Sequence, residues 1–251
     1  MKFTKMQGLG NDFVVLEEVE PAPELVRQLC DRRRGVGADG VLAVGHRPSM
    51  RYWNADGSVA EMCGNGLRCV ARYAVDRDWA PSDEWFVIET AVGPRRALVA
   101  DPWITVEVGK VSIAGTVSIG ERSYHEASVG NPHAVTIVDD PDAVAVSEVG
   151  PVVEHDLAFP NGTNVEFVSR VAPQRLHLRV WERGVGETLA CGSGMVVAAA
   201  VAAGMTEEPI EVVVPGGTGQ VSFRNGSGYL SGPAQVVFTG EWPVSGASAG
   251  R

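Results

Sequence analysis

The sequence is short of several things, and each shortage excludes something. It has only four cysteines in 251 residues, none in a Cys-x-x-Cys or Cys/His zinc spacing. That pattern fits reduced thiols, and it gives no disulfide frame and no metal site. Positive charge is scarce: 21 Lys and Arg stand against 31 Asp and Glu, a net charge of −10. An acidic surface of this kind disfavours nucleic acid and anionic membranes as partners. No apolar run approaches the roughly 20 residues that cross a bilayer. The opening MKFTKMQGLGNDF has no apolar core of a signal peptide, so a cytoplasmic location is expected.

What is present is 45% hydrophobic residues, enough for sizeable cores, and 30 glycines. The chain is organised around WERGVGETLACGSGMVVAAAVAAGM, Trp181 to Met205. Its second half is apolar on every face, which predicts a fully buried helix with small side chains. Gly204 stops it. Cys191, Gly192 and Ser193 stand at its start, where backbone N–H groups lack intrahelical partners and the helix dipole favours negative charge. A thiol there is expected to have a lowered pKa, and the same donors can hold a carboxylate.

The motif occurs twice. In RYWNADGSVAEMCGNGLRCVARYAV, Trp53 aligns with Trp181, Asn54 with Glu182, Cys63 with Cys191, Gly64 with Gly192 and Asn65 with Ser193. Each pair has an offset of 128 (181−53, 191−63). Gly10-Asn11 is echoed by Gly130-Asn131. We read two copies of one α/β unit, each presenting a cysteine at the N-terminus of its own central helix. The expected fold class is mixed α+β. The expected division is 1–114 and 115–233, with a segment near Gly109 to Gly120 as the boundary. A last strand, Ala234 to Thr239 within about 234–245, is expected to cross back onto the first half, and Ser245 to Arg251 to form a tail.

Apolar periodicity predicts a helix over Pro21 to Arg33, ending in a solvated basic cluster at Arg32, Arg33 and Arg34. Gly35-Val-Gly37-Ala-Asp-Gly40 satisfies G-x-G-x-x-G but follows a helix and opens a strand. It is therefore a tight connection rather than a dinucleotide site. Cys30 and Cys69 are expected in cores.

Two thiols facing one carbon suit inversion: a thiolate removes a proton and a thiol returns one to the opposite face. Helix N-terminal donors would hold the carboxylate onto which the carbanion's charge moves. Asn11, Asn54, Asn65, Asn131 and Asn164 bracket the same turns and offer neutral hydrogen bonds to a zwitterion. Arg183, if buried, could grip a second carboxylate in bidentate fashion. His133 lies in a motif-like turn, Gly-Asn-Pro-His. Two other readings remain open: a single-cysteine acyltransferase or hydrolase with His133 as base, and a non-catalytic amino-acid binder.

The chain resembles the diaminopimelate epimerases from about Met1 to Thr239. Six motifs in order carry the likeness: GNDF, RRRGVGADG, NADGSVAEMCGNGLRC, GNPH, FPNGTNVEFV and WERGVGETLACGSG. The resemblance implies two barrels of strands, each around a central helix, with the active site between them. It implies cofactor-independent interconversion of LL- and meso-diaminopimelate, in lysine and cell-wall precursor synthesis, by a homodimer. It makes Cys63 and Cys191 the acid/base pair and places Gly64, Asn65, Gly192 and Ser193 at the substrate carboxylate. Asn11, Asn54, Asn131, Asn164, Glu182 and Arg183 fall on substrate-gripping positions, and His133 and Glu182 on positions that tune the thiols. Gln7 and Gly40 depart from the family pattern, where histidine and glutamine are common. An epimerase of another diamino acid is the nearest alternative.

Overall fold

The duplication is written in the strand pairing. The computed structural model describes residues 1–60 and 62–243. The first run of elements is β1 (Lys2–Gly8), β2 (Asn11–Glu17), α1 (Pro23–Cys30), β3 (Gly40–Val44), β4 (Ser49–Asn54), β5 (Val59–Ala60), α2 (Gly64–Asp76), β6 (Phe86–Thr90), β7 (Arg95–Ala100), β8 (Trp103–Lys110) and β9 (Ser112–Ile119). The second is β10 (Arg122–Ser128), β11 (Pro132–Ile137), α3 (Val146–Glu154), β12 (Asn164–Ala172), β13 (Arg175–Glu182), β14 (Gly186–Thr188), α4 (Gly192–Ala203), β15 (Ile210–Val214), β16 (Gly217–Arg224), β17 (Ser227–Gly232) and β18 (Gln235–Glu241). A short 3₁₀ turn, Pro141–Ala143, precedes α3.

The two runs pair alike. β1–β2 and β10–β11 are antiparallel, β2–β3 and β11–β12 parallel, and β3–β4 and β12–β13 antiparallel. Each run then crosses to a parallel neighbour, β4–β6 or β13–β15, and ends in an antiparallel meander. In both, the crossover carries the central helix, as parallel pairing requires a long connection.

The last strand of each run leaves its own half. β9 pairs with β10, the first strand of the second run, and β18 pairs with β1, the first strand of the first. The halves also join where β8 pairs with β17. The expected return of the last strand thus appears as Gln235–Glu241 on β1. The expected division at 114/115 falls inside β9, and the break between strands lies at Val111. The expected tail, Ser245 to Arg251, lies outside the described residues.

The cores follow from the patterning. From Met195 to Ala199 every α4 residue is fully buried. Each buried Val or Met contributes on the order of 1.5–3 kcal/mol. α2 is buried on every face from Gly64 to Ala71 and packs its Leu67, Cys69, Val70 and Ala71 into the same continuous core. Cys30 is buried in a separate cluster with Val26 and Leu29, and Cys69 is fully buried. All four cysteines are free.

One element differs from expectation. α1 covers Pro23–Cys30, not Pro21 to Arg33, because the Asp31 carboxylate folds back and accepts from the backbone N–H of Arg33 and Arg34. Arg32 is not a free basic end. Its guanidinium bridges Asp12 and Asp39, each at 2.7 Å. No helix among the described residues is long and apolar enough to cross a membrane.

Candidate active site

Cys63 and Cys191 are the N-cap residues of α2 and α4. Both caps are extended, so the sulfur sits at the mouth of the helix beside unbonded N–H groups. The two helix starts abut. A Cβ on Gly64 would lie 3.3 Å from the Gly192 Cα, and one on Gly192 would lie 3.1 Å from the Gly64 Cα. Only glycine at both positions lets the backbones approach so closely. The two thiols therefore flank one junction between the halves. The charge of Glu182 bears on both.

Around Cys63 the groups are neutral amides. The Gly66 N–H donates to Cys63 Sγ at 3.4 Å, and the thiol donates to Asn11 Oδ1 at 3.6 Å. Asn65 Nδ2 donates to Asn11 Oδ1 at 3.3 Å and, across the junction, to the Ala190 carbonyl at 3.0 Å. Asn11 in turn donates to Asp39 at 2.7 Å. Arg68 is fully buried and donates to Asn65 Oδ1 at 2.9 Å. Its Nη1 has no partner among the described residues.

Around Cys191 the groups are titratable. The Ser193 hydroxyl lies 3.4 Å from Cys191 Sγ, and Asn131 Nδ2 donates to that hydroxyl at 3.4 Å. Asn131 Oδ1 faces His133 Nε2 at 3.1 Å, and His133 Nδ1 meets Glu166 Oε1 at 2.7 Å. Both side chains of the His133–Glu166 pair are wholly buried. Glu182 accepts from Thr188 Oγ1 at 2.5 Å, and the Cys191 thiol faces the same carboxylate. Burial pushes the Glu182 carboxyl up.

The helix-start argument expected lowered thiol pKa values, and here it fails. Burial pushes Cys63 up to about 12, against the pull of the Gly66 N–H, and the nearby Glu182 charge adds to the rise. Burial also drives Cys191 well above its ordinary value, reinforced by Glu182 and Glu166. Desolvation outweighs a few N–H dipoles when the two halves close over the sulfurs. Both thiols are held neutral in this state.

The remaining predicted residues are placed less uniformly. Asn164 Nδ2 donates to the Pro132 carbonyl at 2.9 Å, and its Oδ1 accepts from the Arg183 backbone N–H at 3.0 Å. Arg183 is not buried: its side chain is exposed and its guanidinium reaches the Asn161 carbonyl at 3.3 Å. Asn54 donates to Ser58 Oγ at 3.0 Å, within its own turn. His133 has no hydrogen bond to either sulfur among the described residues; its hydrogen-bonded route to Cys191 runs through Asn131 and Ser193. Gln7 accepts from the Gly10 N–H at 3.0 Å and so supports the first glycine turn. A side chain at Gly40 would collide with the Tyr52 ring and the Trp53 carbonyl, which explains the absence of a glutamine there. A cavity of ≈ 450 Å³ opens beside Asn11, walled by Arg32, Asp39, Thr188 and Ala190.

Sequence reasoning missed Arg68 and Glu166. Each is a charged residue inside an apolar stretch, GLRCVA and NVEFV, and that mismatch was the available signal.

The architecture belongs to a known class. A phenazine biosynthesis protein of the PhzF family from Bacillus anthracis superposes with a TM-score of 0.76 at 16% identity, covering 97% of this chain and 99% of that one. A probable proline racemase from Agrobacterium radiobacter superposes with a TM-score of 0.77 at 13% identity, covering 97% and 93%. At such identities the likeness is one of fold. Sequence then narrows the class. The diaminopimelate epimerase family matches residues 3–114 and again 126–237. The curated diaminopimelate epimerase of Carboxydothermus hydrogenoformans is 40% identical over 96% of this chain and 99% of its own length. That of Xylella fastidiosa is 43% identical over 96% of each. The chain belongs to the diaminopimelate epimerase family.

Proposed function

We propose that this protein is an isomerase that interconverts LL- and meso-2,6-diaminopimelate without a cofactor, through Cys63 and Cys191 acting from opposite faces of one α-carbon. The observation that carries the mechanism is the contact of two helix starts, each capped by a cysteine. In one direction the cycle starts with Cys63 as the thiolate, its proton released to solvent water, and with Cys191 as the thiol; the Cys63 thiolate takes the α-proton. The electron pair then moves onto the α-carboxylate, and the Cys191 thiol delivers its own proton to the other face. The reverse reaction exchanges the roles. N–H groups at Gly64, Asn65, Gly192 and Ser193, free at the two helix starts, would stabilise the developing enediolate charge, and one such donor is worth about 2.7–4 kcal/mol of barrier. For deprotonation at Cys191, the proton acceptor is Glu182, whose carboxylate faces the thiol and whose proton affinity is raised by burial. Asn11 and Asn131 orient the substrate beside the sulfurs, and Asn54, Asn164 and Arg183 grip its distal amino-acid end. Arg183, being exposed, would reach it from the rim.

The test is incubation of purified protein with LL-diaminopimelate in heavy water with nothing added. Deuterium entering at one α-carbon, with meso product forming, is the expected result. Product without deuterium, or no exchange, removes the reading. An acyltransferase or hydrolase using one cysteine predicts a covalent acyl-enzyme and a dispensable second cysteine, and the duplicated cap argues against it. A substrate panel of other diamino acids separates the nearest alternative. We further propose a cytoplasmic homodimer, testable by sedimentation.

A further inference from the structure

The mechanism above leaves the buried Glu166 without a task. Glu166 lies on β12 with no exposure at all, in a strand whose neighbours Val165, Phe167 and Val168 are core residues. A carboxylate in such a place is costly unless its partners hold it. It has one partner, His133 Nδ1 at 2.7 Å, while Oε2 has none among the described residues. Space is reserved for it. A Cβ on Gly194 would lie 2.8 Å from Glu166 Oε1, so the last glycine of Cys191-Gly-Ser-Gly clears room for this carboxylate. The matching glycine of the first half, Gly66, faces Leu42 instead, at 3.0 Å. The parallel pairings of the two halves match Val15–Leu42 to Val135–Glu166, so Leu42 stands in the first half where Glu166 stands in the second. The carboxylate is thus a feature of one thiol site only.

We propose that Glu166 is a positioning residue for Cys191. It fixes the His133 ring through Nδ1, the ring fixes Asn131, and Asn131 holds the Ser193 hydroxyl on the Cys191 sulfur. The links measure 2.7, 3.1, 3.4 and 3.4 Å from carboxylate to thiol. This inference rests on the two-thiol reading for its catalytic meaning, but the chain itself can be tested without substrate.

A charged neighbour and a positioning residue predict opposite outcomes. If Glu166 acted only by its charge, Glu166→Gln would relieve a negative field on Cys191 and make the thiol more reactive at a given pH. If Glu166 holds the chain, replacing its charge-assisted hydrogen bond to His133 by the weaker amide bond loosens the ring and Ser193 behind it, and makes Cys191 less reactive. The experiment is pH-dependent alkylation of the intact protein by iodoacetamide, with Cys63 and Cys191 read separately by peptide mass spectrometry. In Glu166→Gln we expect Cys191 alkylation to slow by about three- to tenfold, the worth of one hydrogen bond, and Cys63 to be unchanged. Faster Cys191 alkylation, an unchanged rate, or an equal change at both thiols overturns the proposal. Should Glu166→Gln fail to fold, Glu166→Asp keeps the charge, breaks the 2.7 Å contact and carries the same expectation. In the heavy-water assay the same variant should lose turnover by about tenfold, with KM changed far less, a part of the roughly 10²–10⁴-fold that positioned acid–base groups supply. Absence of epimerase activity in the unaltered protein would defeat the proposed function and leave the alkylation result standing.

Discussion

The two thiol sites share a backbone and differ in charge. Cys63 and Cys191 cap equivalent helices, lie beside equivalent asparagines and meet through equivalent glycines. Yet the first bonds to amides beside one buried cation, Arg68, while the second gathers Glu166 and His133 and faces the Glu182 carboxylate, whose charge reaches both. A symmetric site would suit a symmetric substrate. The two stereoisomers differ only in configuration at the reacting carbon, whereas the two thiols differ in what they face: the Glu182 carboxylate for Cys191 and the Asn11 amide for Cys63. Duplication supplied the geometry, and divergence of a few side chains gave the two sites different charge.

The comparison breaks most severely if one cysteine can be spared. Cys63→Ala and Cys191→Ala should each cost at least about 10²–10⁴-fold in turnover of LL-diaminopimelate. Cys30→Ala and Cys69→Ala should keep turnover, since both sulfurs are packed in cores away from the junction. A variant at either capping position that retained a tenth of the rate would reduce the site to one working thiol.

The next largest effect probes the junction. Gly64→Ala and Gly192→Ala each place a methyl against the opposite backbone at 3.1–3.3 Å. Forced overpacking of this kind costs about 1–3 kcal/mol. Thermal unfolding and turnover should fall together and by similar amounts in the two variants. A loss in one and none in the other would mean that the helix starts do not share one substrate site.

How much of this could be read in advance divides along the same line as the two sites. The repeated features were legible: Cys-Gly-x-Gly and the apolar run after Cys191 depend on local periodicity and spacing, which are visible in one dimension. The exchange of β9 was not, because its exposed alternation looks like a connection and only its partner β10 makes it a strand of the second half. Glu166 and Arg68 were missed because polarity ordinarily predicts exposure; Glu166 is buried against His133 and the start of α4, and Arg68 against Gly8 and Pro233, contacts made far along the chain. The same kind of contact reversed the expected direction of the thiol pKa values: a helix start is a local feature, whereas desolvation depends on what arrives from elsewhere in the chain.

Arg68 offers a way to sharpen the comparison from the Cys63 side. Its positive charge pulls the Cys63 thiol down against the stronger effect of burial, and its fork fixes the Asn65 amide. Arg68→Met should therefore slow iodoacetamide alkylation at Cys63 by about three- to tenfold and leave Cys191 unchanged. Arg68→Lys should fall between, keeping charge and losing the planar fork. An equal response at both cysteines would show that Arg68 serves the packing of α2 and not one thiol.

The smallest effect tests what the two sites have in common. Burial raises both thiols, Cys63 from an ordinary 9.0 to about 12 and Cys191 well above 9.0. Between pH 9 and 12 the unfolded chain has lost these protons while the folded chain keeps them. Stability contributed by each thiol is thus present below pH 9 and drains away as pH rises towards 12, at up to about 1.4 kcal/mol per pH unit. Urea unfolding at pH 8 and pH 10.5 should show a smaller alkaline loss in Cys63→Ala and in Cys191→Ala than in the unaltered protein, and a similar one in each. If only Cys191→Ala flattened the dependence, the Cys63 thiol would be open to water, and the two sites would differ in desolvation as well as in charge.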